Sequence, residues 1–235
     1  MATLAAIVTR LERRVIDLPT AVSSESQTLI LEAHREIQEL HNFQCMAALA
    51  SFATTSGTAD LGTLNAAFKD YRAQPFWTDD DGLTRYLRVV MDEGEVRRAF
   101  SQDATLGAGR PLVVLHPHPS SVGGEIESAT LRVYPVPDGL ANTSDGEYTI
   151  RIPYWSYLAV PTTNDWFTDN AERYLLANAT SRAFELNWDE AKALYWRQIA
   201  AEELQRAIHR DKRLQVSHIN TIVPYAGVND PKVRL

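Results

Sequence analysis

Hydrophobic residues at intervals of three and four dominate the start of the chain. Leu4, Ile7, Val8, Leu11, Val15 and Leu18 trace one face of a helix, and Pro19 stops the run. Ser24-Glu-Ser-Gln27 has the form of a capping box, in which Ser24 accepts an amide bond and Gln27 reaches back. Beyond it, Ile30, Ala33, Ile37 and Leu40 share a face while Glu32, Arg35, Glu36 and Glu39 lie elsewhere. This predicts a second helix running to about Phe52, before the Thr54–Gly57 turn. Leu61 to Tyr71 reads as a third, weaker helix. Pro75–Gly82 breaks the pattern, and Leu83, Leu87, Val90 and Met91 predict a further helix up to Phe100.

The period then changes from helical to two. Gly107–Pro111 reads as a flexible join, Leu112–Leu115 as a buried strand, and His116–Gly124, with two prolines and two glycines, as a loop. Ala129–Gly139 is a β-rich run closed by Pro-Asp-Gly, which predicts a turn at Pro137–Gly139. In Glu147–Tyr154, Tyr148, Ile150 and Ile152 alternate with Glu147, Thr149 and Arg151, as in a half-buried strand. The two runs are expected to pair antiparallel.

Pro161 ends that strand, and helical spacing resumes near Trp166 with Phe167, Ala171, Tyr174, Leu175, Ala177, Asn178 and Phe184. Asn187-Trp-Asp-Glu190 reads as a tight junction to an antiparallel partner helix, with Asn187 or Asp189 as cap. That partner, about Asp189 to His209, puts Trp188, Tyr195 and Ile199 on one line. Leu194, Ala201, Leu204 and Ile208 form another. A stripe this broad suits a helix touched on two sides, by its own partner helix and by a neighbouring subunit, or a helix sunk deep in one monomer. After residue 210 the periodicity fades under Pro224, Gly227 and Pro231. Even so, Val216, Ile219, Ile222, Val223, Tyr225 and Val228 give the segment an apolar character. Each large side chain gains about 1.5–3 kcal/mol from full burial, so these residues call for a covering surface, either a partner or their own domain.

The ordered set Leu131-Arg-Val-Tyr-Pro-Val-Pro-Asp-Gly139, Tyr148-Thr-Ile-Arg-Ile-Pro-Tyr154, Pro161 through Trp166, Glu172 to Ala179 and Ala193-Leu-Tyr-Trp-Arg-Gln198 resembles the head-to-tail adaptor, or connector, proteins of tailed bacteriophages, most of all those with short tails. The resemblance is good over the last two fifths of the chain and looser over the opening helices. The segment Pro75–Ser121 is longer and more charged than the family pattern. The resemblance implies a structural virion protein at the neck between capsid and tail, synthesised in the host cytoplasm. It implies a homo-oligomeric ring, dodecameric in the family, beneath the portal protein. A tail nozzle or other tail component would lie on the far side, and genome DNA would pass through the channel without sequence-specific binding. It also implies that an extended carboxyl-terminal arm docks on the portal, which assigns Val216, Ile219, Ile222, Val223, Tyr225 and Arg234 to that contact. The face of Leu194, Ala201, Leu204 and Ile208 would then lie between subunits.

The expected fold is α+β and mainly helical. Residues 1–110 form the amino-terminal part of a helical bundle, 111–160 a small antiparallel β insertion, 161–210 a helical hairpin completing the bundle, and 211–235 the arm. A chain of 235 residues with 45% hydrophobic and 23% charged content is long enough and ordinary enough for such a core. The net charge of −7 speaks against a surface that grips nucleic acid and suits one past which DNA slides. No apolar run has the length of a membrane span, and Met1–Arg10 is charged too early for a secretory signal. The single Cys45 reads as a small buried hydrophobe.

Candidate chemistry is sparse, and no catalytic residue, metal or cofactor is assigned. His116 and His118 with Glu125 and Glu127 have the donor types of a metal site but sit in a loop. His34 and His41, two turns apart on one helix, are too distant to chelate together and are expected at polar margins. Asp79-Asp-Asp-Gly82 lacks the alternation and distal Glu of a calcium loop and reads as a cap. Glu93 and Glu95 are the carboxylate pair that a cell-wall-degrading virion enzyme would need, which is one alternative function. A monomeric phage-encoded binding module is another. Asn178-Ala-Thr180 matches a glycosylation sequon by chance inside a helix.

Overall fold

The computed structural model of the chain describes residues 3–15, 25–78, 82–99, 109–116, 121–122, 125–126, 130–139, 147–161 and 164–219. Two compact units emerge, one built from residues up to Cys45 together with those from Leu158 onward, the other from Met46–Tyr157.

The first unit is helical. Its elements are α1 (Leu4–Arg14), α2 (Ser26–Leu40), and further on α4 (Trp166–Asn170), α5 (Glu172–Leu186) and α6 (Glu190–Ile219). Thr3 caps α1 by accepting the Ala6 N–H at 3.2 Å. Helix α5 is buried on most of its circumference because α1, α2, α4 and α6 all pack on it. Helices α5 and α6 run antiparallel, with Ser181 Oγ donating to the Ala193 carbonyl at 2.8 Å and Arg210 Nη1 to the Asn170 carbonyl at 2.6 Å. Across α2 and α5, Arg182 meets Glu32 at 2.6 Å and Glu36 at 2.5 Å.

The second unit carries the strands β1 (Ala47–Ala53), β2 (Asp60–Thr63), β3 (Phe68–Tyr71), β4 (Phe76–Thr78), β5 (Thr84–Tyr86) and β6 (Arg88–Val90). Helix α3 (Glu93–Ala99) follows, then β7 (Val113–Leu115), β8 (Ser121–Val122), β9 (Glu125–Ile126), β10 (Thr130–Tyr134) and β11 (Thr149–Ser156). One sheet has the order β1-β11-β4-β5, with β3 also on β11. A second has the order β2-β10-β7-β6, and β8 pairs with β9. Ile150, Ile152 and Tyr154 from the first sheet share a core with Val114, Leu131 and Val133 from the second, around Trp77 and Tyr148. Behind the second sheet, Val96 of α3 packs with Val90, Val113 and Leu115. Strand β7 is therefore buried on both faces, which explains its unbroken apolar run.

The strand at Leu112–Leu115, the alternation at Tyr148–Ile152 and the junction at Asn187–Glu190 stand where the sequence places them. Gly139, at φ 72°, supplies the left-handed residue of the Pro-Asp-Gly segment. Other expectations are corrected. The second helix stops at Leu40, since His41 turns to extended backbone and the Ala-rich stretch 47–53 is strand β1, paired in register with β11. Leu61–Tyr71 is not a helix but β2 and β3. The helix expected from Leu83 is reduced to α3, with β5 and β6 before it, so the helical character assigned to 1–110 gives way to strands between 47 and 90. The runs 129–139 and 147–154 are not partners. Strand β10 pairs with β2 and β7, and β11 pairs with β1, β3 and β4. The last helix continues ten residues past His209 to Ile219. Ser24 lies outside the described residues, and Glu25 at the head of α2 makes no side-chain cap bond.

Candidate functional site

The turn between α5 and α6 has an unusual occupant. Trp188 N–H donates to the Glu185 carbonyl and Asp189 N–H to the Phe184 carbonyl, both at 3.0 Å, which closes α5 in a Schellman arrangement. The residue between those bonds must be left-handed, and Trp188 is, at φ 59°. Glycine normally fills this place, because a Cβ there costs about 1–2 kcal/mol. Trp188 is nevertheless 90% exposed, and Leu186, Leu194 and Tyr195 are exposed with it. A groove of about 430 Å³ borders the Trp, with Thr28 and Leu29 of α2 on one wall and Arg182 and Leu186 of α5 on the other. Glu25, Glu32 and Glu185 edge it. Asp189 caps α6 by accepting the Lys192 N–H at 3.2 Å, and the Lys192 ammonium at 3.0 Å helps to hold its carboxyl below the usual range.

Along α6 the buried seam consists of Ala193, Ala200 and Ala207, seven residues apart, and ends in Asp211. Small side chains let α5 approach closely, and the large apolar residues are displaced to the flanks. Of the residues expected on an inter-subunit face, Leu194 and Ala201 are exposed, while Leu204 and Ile208 are half-buried. Trp188 and Tyr195 are exposed and Ile199 is half-buried; Trp196, also half-buried, lies under the Arg14 guanidinium at 5.0 Å. Of the expected arm, Val216 and Ile219 belong to the backbone of α6, their side chains lying outside the described residues, as do Ile222, Val223, Tyr225 and Arg234 entirely.

A buried polar network fixes the two sequence-distant parts of the helical unit to each other. His34 is buried rather than marginal, and its Nε2 lies 2.5 Å from Asp165 Oδ2. Gln38 Oε1 accepts the Leu158 N–H at 2.6 Å, so its amide nitrogen is the end that faces His34 Nδ1 at 3.1 Å. Asp165 also caps α4, exchanging bonds with Thr168 in a capping box. Burial works to raise the Asp165 carboxyl, but the bonds from His34 and the Thr168 backbone outweigh it and hold the group below its ordinary value. The sign for stability follows. The folded value lies below the unfolded one of about 3.9, so the contribution is present above pH 4 and lost as pH falls through the folded value. Melting from pH 7 to pH 2.5 is expected to show a drop in Tm in that window. Asp165→Asn flattens the drop, and Asp165→Ala costs about 1–2 kcal/mol at pH 7 through the lost cap. An unchanged acid slope in Asp165→Asn contradicts this.

Further along, Asp211 is 0% exposed and accepts the Gln44 N–H at 2.9 Å, with His41 Nε2 at 3.8 Å from its other oxygen. Burial, then the charges of Asp211 and Asp165, push the nearby Cys45 thiol up to about 12, so it stays protonated and inert at neutral pH.

Several of the remaining chemical candidates are engaged in structure. His116 Nδ1 meets the Tyr71 hydroxyl at 2.7 Å and its ring packs on Phe68. His118, Glu127 and Asp79–Asp81 lie outside the described residues. Glu93 pairs with Arg132 at 3.0 Å and Glu95 with Arg88 at 3.8 Å. Asn178 Nδ2 donates to Glu36 at 3.1 Å. Among the described residues no cluster of three His, Cys, Asp or Glu is placed to hold a metal, and no helix is long and apolar enough to cross a membrane. What the geometry offers is exposed apolar surface: a pad at a helical turn and the flanks of a long helix.

Comparison with known families finds a match to the SU10 adaptor protein family over residues 2–222. No curated protein matches the chain.

Proposed function

The chain belongs to the SU10 adaptor protein family, an adaptor family of bacteriophages, and on that premise we propose that it is a structural virion protein forming a ring beneath the portal. The ring joins capsid to tail and continues the channel through which the genome passes. The observation that carries this reading is the family match along nearly the whole chain. The exposed apolar pad at Trp188 and the exposed and half-buried flank of α6 support it, since contiguous apolar surface of this kind marks an interaction site. In this reading Leu194, Ala201, Leu204 and Ile208 lie toward a neighbouring subunit, and the segment holding Val216, Ile219, Ile222, Val223, Tyr225 and Arg234 docks on the portal. The net charge of −7 suits a channel wall that does not hold DNA. Closure follows from a head-to-tail contact whose rotation returns to the start, with a dodecamer as the copy number of the family.

The test is to mix the purified chain with its portal and weigh the product by sedimentation. Many copies of the chain co-migrating with each portal ring support the proposal. Separate migration of the two proteins at micromolar concentration removes it.

A further inference from the structure

We propose that the Trp188 pad is one half of the contact between neighbouring copies, and that it seats on the basic end of the α5–α6 hairpin of the next copy. This rests on the ring reading above and names the contact that builds the ring.

Three observations lead there. First, Trp188 holds a left-handed position that glycine would fill without strain, and its ring is 90% exposed. Among the described residues no packing explains a Trp at that place, and Trp is the side chain most suited to anchor an interface. Second, the pad is set among acids. Glu25, Glu32, Glu185, Asp189 and Glu190 outnumber Arg182, Lys192 and Arg197 around it, and Glu25 and Glu190 lie beyond the pairs those three cations make with Glu32, Asp189 and Glu185. Two such pads face to face would bring like charges together, so the pad selects a basic partner surface rather than its own image. Third, the chain carries that surface at the other end of the same hairpin. Arg210, Lys212 and Arg213 are exposed there, past Arg206, which pairs with Glu202 and Glu203, while Asp211 between them is buried and bonded inward to Gln44. Arg210 donates to the neutral Asn170 carbonyl rather than to a carboxylate.

A Trp face against an Arg is a favourable cation–π pair, and the same chain already uses one, Arg14 over Trp196 at 5.0 Å. Helices α5 and α6 are antiparallel, so the pad and the basic end are separated by the length of α5, about 22 Å for fifteen residues. Every copy then offers one of each surface at opposite ends. That arrangement joins head to tail and leaves no free surface once a ring closes.

The test uses the full chain with its portal, read as mass per portal ring. Trp188→Gly removes the anchor and the backbone strain together, so Tm is expected to hold or rise by a few degrees. Association between copies is expected to weaken at least about tenfold. Lys212→Glu with Arg213→Glu damages the other surface and is expected to weaken association as much. Mixed together, the two variants keep one sound contact between unlike copies and give pairs but no larger assemblies. Wild-type assembly by Trp188→Gly, or a mixture that yields no pairs, overturns the contact. Should the wild-type chain itself never assemble, alone or on the portal, the ring reading fails and this contact with it.

Discussion

Replacing Trp77 with Ala is expected to unfold the β unit while leaving the helical unit folded. Trp77 is 2% exposed, its ring meets Tyr148 at 4.8 Å, and its Nε1–H donates to the Pro111 carbonyl at 3.3 Å. It sits where residues of both sheets converge, so its removal opens a cavity that neither sheet can close alone. Truncations of this kind cost about 3–5 kcal/mol, against total stabilities of about 5–15 kcal/mol. The helical unit has its own core around α5, built from Tyr174, Leu175 and Phe167. Hydrogen exchange resolved by peptide separates the two. Protection in 113–115, 130–134 and 149–156 is expected to collapse, and protection in 172–186 to persist. Loss spread evenly over both units would show that their cores are not separate. Tyr148, which burial and its bond to Asp138 push up to about 12, gives a second probe, since its ionisation falls back toward 10 when the core opens.

Deleting everything after Lys212 is expected to weaken portal binding roughly a hundredfold without unfolding the chain. The last described side chain that α6 buries is Asp211, and among the described residues the bonds joining α6 to the rest of the helical unit, through Gln44, Asn170 and Ser181, lie at or before it. The deleted residues include Val216, Ile219, Ile222, Val223 and Tyr225. If two of these become buried on the portal at about 1.5 kcal/mol each, their loss weakens binding roughly a hundredfold. The measurement is a titration of portal with the truncated and full chains, alongside their melting curves. Unchanged portal affinity in the truncated chain refutes the docking role. A large fall in Tm would show instead that the segment packs on its own domain.

Much of the helical unit can be read from residue patterns because its elements satisfy local rules. The periodicities of α1, α5 and α6 are unbroken, and the Asn187–Glu190 junction carries recognisable cap residues. Between 47 and 90 local rules mislead. Ala47–Ala53 has the composition of a helix and becomes a strand because β11 pairs with it over seven residues, burying Ala48, Ala50 and Phe52 in part against the shared core. Pairing partners are also illegible. Strands β10 and β11 neighbour each other in sequence but belong to different sheets, and only distant segments such as β1 and β7 decide that. The proposed assembly surface is half legible. Trp188 reads as one residue of a helical stripe. Its place as the left-handed turn residue follows from bonds between Glu185, Phe184 and the turn, which show only once the helix ends are fixed. The buried seam of Ala193, Ala200 and Ala207 was open to reading as a seven-residue repeat, yet larger neighbours draw attention to the flanks. His34 shows no sign of burial in the sequence, because its partner Asp165 lies 131 residues away.

Electron microscopy of the chain bound to its portal tests the central claim most directly. The expected image is a closed ring of identical subunits, twelve by family likeness, seated coaxially on the portal with an open channel. A portal left bare, or decorated by scattered single copies that never touch, would contradict it.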